Sequence, residues 1–244
     1  MTPPSTDADS DIAEINRIRA EQLRRAREIP PGFYGWNHPV NQFFHCQVYR
    51  ACISALVRAN LFPLDGRSVA DIGCGTGTWL LEFAQWGADP AHLAGIDLDE
   101  NRVAQACRRL PGADLHAGDA QHLPWPDGSF DLVTQFTLFT SILVPSIKTR
   151  IAAEMVRVTK PGGLILWYDF RFNNPRNPNV RGIEAGEIRS LFPGCSVGLE
   201  RVTLAPPLAR RVVPVSYTLA LLLEQVPFLR THYLGVIGKS ESLC

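Results

Sequence analysis

Short apolar runs alternate with longer amphipathic stretches along most of this chain. The runs at 69–72, 93–97, 130–136 and 164–169 end in polar or glycine-rich turns, which is typical of buried parallel strands. In the stretch between the last two runs, Ile147, Ile151 and Met155 recur at helical spacing. Strands that alternate with helices predict an α/β fold built on a parallel sheet.

The two ends of the chain follow a different pattern. Residues 12–28 predict a charged helix, and residues 41–60 predict an amphipathic helix behind an aromatic, turn-rich segment at 33–39. Strands are predicted at 196–204 and 231–239, with an apolar insertion between them. We therefore divide the chain into a disordered tail (1–10), an N-terminal helical lid segment (11–60) and a core (61–244) with a helical insertion at about 205–230.

A glycine-rich turn follows the first strand of the core. Asp71 lies in that strand, and Gly73, Gly75 and Gly77 follow before a helix that begins at Thr78. Glycines permit positive φ angles and close approach of a ligand to the backbone. A dinucleotide site places a pyrophosphate at the helix N-terminus, where the Asp71 carboxylate would repel it. The turn therefore predicts a cationic nucleoside ligand, a description that S-adenosylmethionine fits.

With this turn, the chain resembles the class I, Rossmann-like S-adenosylmethionine-dependent methyltransferases over roughly residues 66–170. The resemblance implies a three-layer α/β/α sandwich with a seven-stranded, mostly parallel sheet and an antiparallel last strand. It also implies that Asp97 binds the ribose hydroxyls and Asp119 the adenine amino group, whereas Asp99 is predicted from its position to cap the following helix. The implied cofactor-binding residues are Asp71, Gly73, Cys74, Gly75, Gly77, Asp97, Leu98, Asp119, Ala120, Gln135 and Phe136.

Two segments supply candidate substrate-binding residues. Loops beyond the carboxyl ends of parallel strands commonly hold substrates, and residues 168–182 form such a loop. Its arginines could clamp a phosphate or carboxylate, although a solvent-facing loop held by Asn and Pro turns is an equal alternative. In similar enzymes the segment before the first strand closes over the site. The candidates are Tyr34, Trp36, His45, Thr137, Arg171, Asn173, Arg176 and Arg181.

Methyl transfer from a sulfonium is an in-line displacement, so the enzyme must chiefly align the acceptor and exclude water. A general base is needed only if the nucleophile must lose a proton. His38, Asp169 and Tyr168 are the candidate catalytic residues for that role.

Composition narrows the choice of partners and compartment. The chain carries 24 basic and 24 acidic residues, so no net positive charge favours nucleic acid as a partner. Six cysteines without zinc-ligand spacing predict reduced thiols and no metal site, and the polar N-terminus is unlike a signal peptide. We expect a cytoplasmic protein.

The insertion at 205–230 is rich in apolar residues. A transmembrane helix needs about 20 mostly apolar residues, and Pro214, Glu224 and Pro227 interrupt this run. The insertion could be a cap helix, the interface of a homodimer or a membrane-surface contact.

We expect transfer of a methyl group from S-adenosylmethionine to an oxygen or nitrogen of a small molecule. A secondary metabolite, or a sugar- or lipid-type acceptor bearing an acidic group, matches the candidate residues. The alternatives are a non-catalytic binding or scaffold protein that keeps the fold, and a nicotinamide-dependent oxidoreductase.

Overall fold

A seven-stranded sheet forms the centre of the protein in the computed structural model, which describes residues 6–239 except 31, 34 and 176. The strand order is β3-β2-β1-β4-β5-β7-β6. β7 pairs antiparallel with β5 and β6, and the other neighbours are parallel. The strands are β1 (Val69–Ile72), β2 (Leu93–Asp97), β3 (Asp114–Ala117), β4 (Phe130–Phe136), β5 (Thr159–Phe170), β6 (Ser196–Leu204) and β7 (Arg230–Gly238).

Helices cover both faces of the sheet. Short 3-10 turns lie at Pro90–His92, Phe139–Ser141 and Pro227–Leu229. The α-helices are α1 (Thr6–Glu28), α2 (Pro39–Arg58), α3 (Thr78–Gln85), α4 (Glu100–Arg109), α5 (Pro145–Val158), α6 (Ala185–Leu191), α7 (Pro206–Val212) and α8 (Tyr217–Glu224).

Successive strand residues point to opposite faces, and each face has its own core. Ala70 and Val133 pack with α5 and α6 on one face. Val69 and Leu132 pack with α2 and α3 on the other. The predicted three-layer α/β/α sandwich with a mostly parallel sheet and an antiparallel last strand is confirmed.

Three local features of the structure can be compared with the sequence predictions. α1 begins at Thr6, within the stretch expected to be a disordered tail, and residues 1–5 lie outside the described part. Asp99 caps α4 as expected, because its Oδ1 accepts hydrogen bonds from the amides of Asn101 (2.9 Å) and Arg102 (3.2 Å). The insertion forms two short helices, α7 and α8, followed by a 3-10 turn.

Among the residues that the structure describes, no helix has both the length and the apolar character needed to cross a membrane. Their five cysteines are free thiols; Cys52 and Cys74 are buried, whereas Cys46 and Cys107 are exposed.

Candidate functional site

A cavity of about 630 Å³ opens at the carboxyl ends of the central strands. Its floor contains residues that follow β1, β2, β3 and β4, and α1 forms the opposite wall. Binding sites in open α/β sheets lie at this edge, because neighbouring loops diverge there. Seven predicted site residues line the cavity: Gly73, Asp97, Leu98, Asp119, Ala120, Phe136 and Thr137.

The glycine-rich turn is held against β2 by backbone hydrogen bonds. The amides of Gly73 (2.8 Å) and Cys74 (3.0 Å) both donate to the Ile96 carbonyl. Gly73 and Gly75 have φ angles of 79° and 55°, which side-chain-bearing residues rarely adopt. A Cβ at Gly75 would also collide with the Arg102 guanidinium. Both the φ angle and the position of Arg102 therefore favour glycine at residue 75.

Asp97 ties the turn to the start of α4. One carboxylate oxygen accepts from the Gly75 amide (2.9 Å) and the other from the Asp99 amide (3.0 Å). The Arg102 guanidinium lies 3.5 Å from the same carboxylate. Asp97 is buried yet lines the cavity, so its oxygens can be shared with the hydroxyls of a bound ligand.

Asp119 lies on the rim beyond β3. Its two oxygens accept from the amide and the side-chain nitrogen of Gln121, each at 2.9 Å. The Gln121 oxygen in turn accepts from Arg150 Nε at 2.6 Å. This chain of hydrogen bonds fixes the Asp119 carboxylate at the cavity wall.

Asp71 lies behind the cavity lining, although the family resemblance implied that it binds the cofactor. It is 2% exposed, does not line the cavity and accepts a hydrogen bond from Thr134 Oγ1 (2.7 Å), its neighbour across β1 and β4. Burial raises its pKa to about 7, and the Asp97 carboxylate adds to the shift. Asp71 thus supports the turn from beneath. The other predicted cofactor residues that lie behind the lining are Cys74, Gly75, Gly77 and Gln135.

Helix α1 closes the cavity, a role for which sequence reasoning gave no specific residues. Ile15, Ile18, Gln22 and Ala26 of α1 line the cavity, and Ile29 does so directly after the helix ends. The four helical residues recur at spacings of three and four, which places them on one face of the helix. The charged residues Arg17, Glu21 and Arg25 line the cavity beside them. That stripe was present in the sequence, but the many charges between its members favoured a solvated helix instead.

Buried carboxylates on α1 anchor it to the core. Glu14 accepts from the Leu143 amide, and Arg17 donates to the Ser141 carbonyl (2.6 Å). Glu21 accepts from Asn179 Nδ2 (2.8 Å) and is paired with Arg24 (2.7 Å). Hydrogen bonds from Arg24, Asn177 and Asn179 lower the Glu21 pKa to about 2. These contacts hold α1 over the cavity as a wall.

The candidate catalytic residues lie away from the cavity. His38 is exposed at the start of α2. Asp169 is 0% exposed and accepts from the Thr140 hydroxyl and amide, and burial raises its pKa to about 7. The Tyr168 hydroxyl is buried against Thr203 Oγ1 (2.9 Å). Among the described residues, no histidine lines the cavity.

Most candidate substrate residues also lie elsewhere. Arg171 stacks over the rings of Phe172 (4.5 Å) and Tyr233 (5.4 Å), and the exposed Arg181 lies 3.9 Å from Glu187. These two arginines form no oxyanion clamp at the cavity, because their guanidinium groups face other side chains. Tyr34 and Arg176 lie outside the described residues.

Asn173, Trp36 and His45 complete the candidate substrate set. Asn173 accepts from the Gly182 amide (2.9 Å) and so shapes its own loop. Trp36 stacks on His45 (4.6 Å) outside the cavity lining. Of the six candidates that the structure describes, Thr137 is the one that lines the cavity.

Comparison with known proteins identifies the family. A family model described as a methyltransferase domain matches residues 69–163. The demethylmenaquinone methyltransferase of Listeria welshimeri is 35% identical over 174 residues, which cover 69% of this chain and 68% of that protein. The phthiotriol/phenolphthiotriol dimycocerosates methyltransferase of Mycobacterium tuberculosis is 36% identical over 118 residues, which cover 48% and 42%.

Solved structures share the fold at low sequence identity. A methyltransferase from Archaeoglobus fulgidus has a TM-score of 0.57 at 18% identity and covers 78% of this chain and 94% of its own. The amino pentose methyltransferase CalS10 from Micromonospora echinaspora, solved with S-adenosylmethionine bound, has a TM-score of 0.56 at 19% identity, with coverage of 80% and 97%. The scaffold and oxidoreductase alternatives are set aside, and the chain belongs to the class I, Rossmann-like S-adenosylmethionine-dependent methyltransferases.

Proposed function

We propose that the cavity holds S-adenosylmethionine between the glycine-rich turn, Asp97 and Asp119. Asp97, Asp99 and Asp119 all line the cavity, and their carboxylates can accept hydrogen bonds from the hydroxyl and amino groups of this ligand. The residues present therefore fit the cofactor. In this arrangement Asp97 would bind the ribose hydroxyls, and Asp119 the adenine amino group. The bound cofactor supplies an electrophilic methyl group on a sulfonium.

The acceptor that best suits the remaining space is a lipophilic small molecule. Ile15 and Ile18 of α1, and Ile29 just after it, contribute apolar side chains to the cavity lining, as do Leu138 and Ile142. Burial of apolar surface contributes about 25 cal/mol per Å², so such walls favour hydrocarbon over sugar. This apolar wall is the observation that carries the proposal.

The names of the relatives point in the same direction. Demethylmenaquinone and phthiotriol/phenolphthiotriol dimycocerosates are lipid-type acceptors. Arg171 and Arg181 do not line the cavity, so they give no support for an acidic group on the acceptor.

The acceptor atom, an oxygen or nitrogen, would be nucleophilic without help from a protein base. His38, Tyr168 and Asp169 do not line the cavity, and Asp97 and Asp119 are engaged in holding loops. An acidic phenol or enol that ionises in water, or a neutral amine, meets this requirement. The residues around the cavity would then act by aligning the two reactants and excluding water.

The test is a methyl-transfer assay on matched variants of α1. Ile15→Ser with Ile18→Ser alters the cavity wall, and Ile12→Ser alters an exposed side chain on the same helix. With radiolabelled S-adenosylmethionine and a hydroquinone bearing a hydrocarbon chain, the double variant is expected to raise KM about tenfold or more, because two apolar contacts are lost. Ile12→Ser should match the wild type.

Affinity for S-adenosylhomocysteine shows whether the double variant disturbs the acceptor site or the cofactor site. The double variant should bind it as the wild type does. An unchanged KM, or an equal loss of S-adenosylhomocysteine affinity, would contradict the assignment of the α1 wall to the acceptor.

A further inference from the structure

The insertion between β6 and β7 presents apolar side chains to solvent. Val215 (85% exposed) lies in the turn before α8, and Leu219 (46%) and Leu222 (63%) follow at helical spacing on one side. Phe228 (75%) projects from the 3-10 turn beyond the helix. We call Val215, Leu219, Leu222 and Phe228 the apolar tip. Single exposed apolar residues are ordinary, but a group within one short segment marks an interaction surface.

The opposite side of the insertion is firmly packed. Ala209, Val213 and Ala220 are buried against Phe43 of α2. Glu224 at the end of α8 accepts from Arg50 Nη2 at 2.7 Å. The apolar tip is therefore the outer face of an ordered element, and its exposure does not come from poor packing.

Within the insertion itself, the exposed charges have one sign. Glu224 is the only acidic residue between 205 and 230, and it is buried and paired with Arg50. Arg210 and Arg211 on α7 are exposed. Apolar side chains flanked by basic residues are typical of segments that lie in the interface of an anionic membrane.

The shape and charge of this surface argue against two other occupants. A two-fold symmetric dimer through this segment would bring Arg210 and Arg211 of both copies to one interface, and the one acid of the insertion, Glu224, is already paired with Arg50. A bound peptide normally lies in a groove, whereas Val215 and Phe228 project from turns on either side of α8.

We propose that the apolar tip docks this protein onto the surface of an anionic lipid bilayer. The tip would enter the boundary between headgroups and acyl chains, with Arg210 and Arg211 against the anionic headgroups. This surface function goes beyond methyl transfer and does not depend on the identity of the acceptor.

Vesicle co-sedimentation of the full chain tests the proposal. The wild type should sediment with vesicles made of equal parts phosphatidylglycerol and phosphatidylcholine, and much less with phosphatidylcholine alone. Leu222→Ser with Phe228→Ser should lower the partition coefficient about tenfold or more, because two apolar side chains no longer insert. Ile12→Ser with Val57→Ser, which alters two exposed apolar residues elsewhere, should leave binding unchanged.

Controls separate docking from folding and from self-association. The tip variant should keep the wild-type melting temperature and S-adenosylhomocysteine affinity. Arg210→Ser with Arg211→Ser should remove the preference for anionic vesicles. The proposal is overturned if the wild type fails to bind anionic vesicles, if it binds neutral vesicles equally, or if light scattering shows a dimer that the tip variant dissociates.

Discussion

Asp71, Asp97 and Asp169 each lie at or near the carboxyl end of a strand, but they face different surroundings. Asp97 lines the cavity, whereas Asp71 bonds to Thr134 behind the turn and Asp169 bonds to Thr140. The pattern of apolar residues was enough to predict that these three carboxylates lie at or near strand ends. Which side of the loop each carboxylate faces depends on cross-strand pairing and on the loop that follows, and neither can be deduced from one sequence.

The burial of Asp169 leads to a prediction about activity. Removing a general base typically costs about 10²–10⁴ in rate. Because Asp169 does not line the cavity, the kcat of Asp169→Asn is expected to stay within about tenfold of the wild type. If Asp169 were the catalytic base, the substitution would lower kcat by the full factor of about 10²–10⁴. Steady-state kinetics with a lipophilic acceptor measure this, and a loss above about a hundredfold in a folded variant would restore Asp169 as a catalytic candidate.

Asp169→Asn should also change how the stability of the protein depends on pH. The folded-state pKa of Asp169 is raised from 3.8 to about 7, so the folded state binds the proton more tightly than the unfolded chain does. Its contribution to stability is complete below 3.8 and is lost as pH rises to about 7. Melting temperatures of Asp169→Asn should therefore fall less over this interval than those of the wild type.

At the scale of elements, α1 is held by polar anchors in addition to Ile18, which packs against the core. Glu21 accepts hydrogen bonds from Asn177 and Asn179, residues of the long loop after β5. The anchors and the cavity-facing stripe occupy neighbouring sides of the same helix. The sequence alone could indicate the helix but not the loop it contacts, since the two segments are about 160 residues apart.

Glu21→Gln should loosen α1. The substitution removes the charge that pairs with Arg24 and weakens the bonds to the asparagines, so trypsin should cleave within α1 several times faster. Glu28→Gln is the control, because Glu28 is exposed and pairs with Arg24 alone among the described contacts. Equal cleavage rates in the two variants would contradict the anchoring role of Glu21.

The pH dependence of this anchor has the opposite sign to that of Asp169. The Glu21 pKa is lowered from 4.5 to about 2, so its stabilisation is present above 4.5 and is lost as pH falls to about 2. The difference in melting temperature between the wild type and Glu21→Gln should therefore be largest near neutral pH and shrink in acid.

The α/β sandwich as a whole was predictable, because β1, β2, β4 and β5 are apolar runs between helical patterns. The antiparallel last strand was implied by the family resemblance, and its place between β5 and β6 is seen in the structure. The closure of the cavity by α1 was not predictable at the level of residues, because it depends on contacts between segments distant in the chain. For Arg171 and Arg181, the place of their loop beyond β5 suggested a position at the site, but the cavity lining does not include them.

Calorimetric titration with S-adenosylhomocysteine bears most directly on the cavity as the cofactor site. The wild type should bind in the micromolar range. Asp97→Asn and Asp119→Asn should each weaken binding about tenfold or more, as expected when a charged hydrogen-bond acceptor is lost. Asp127→Asn, at an exposed position outside the cavity, should bind as the wild type does. Failure of the wild type to bind, or undiminished affinity in both cavity variants, would contradict the assignment of this cavity to the cofactor.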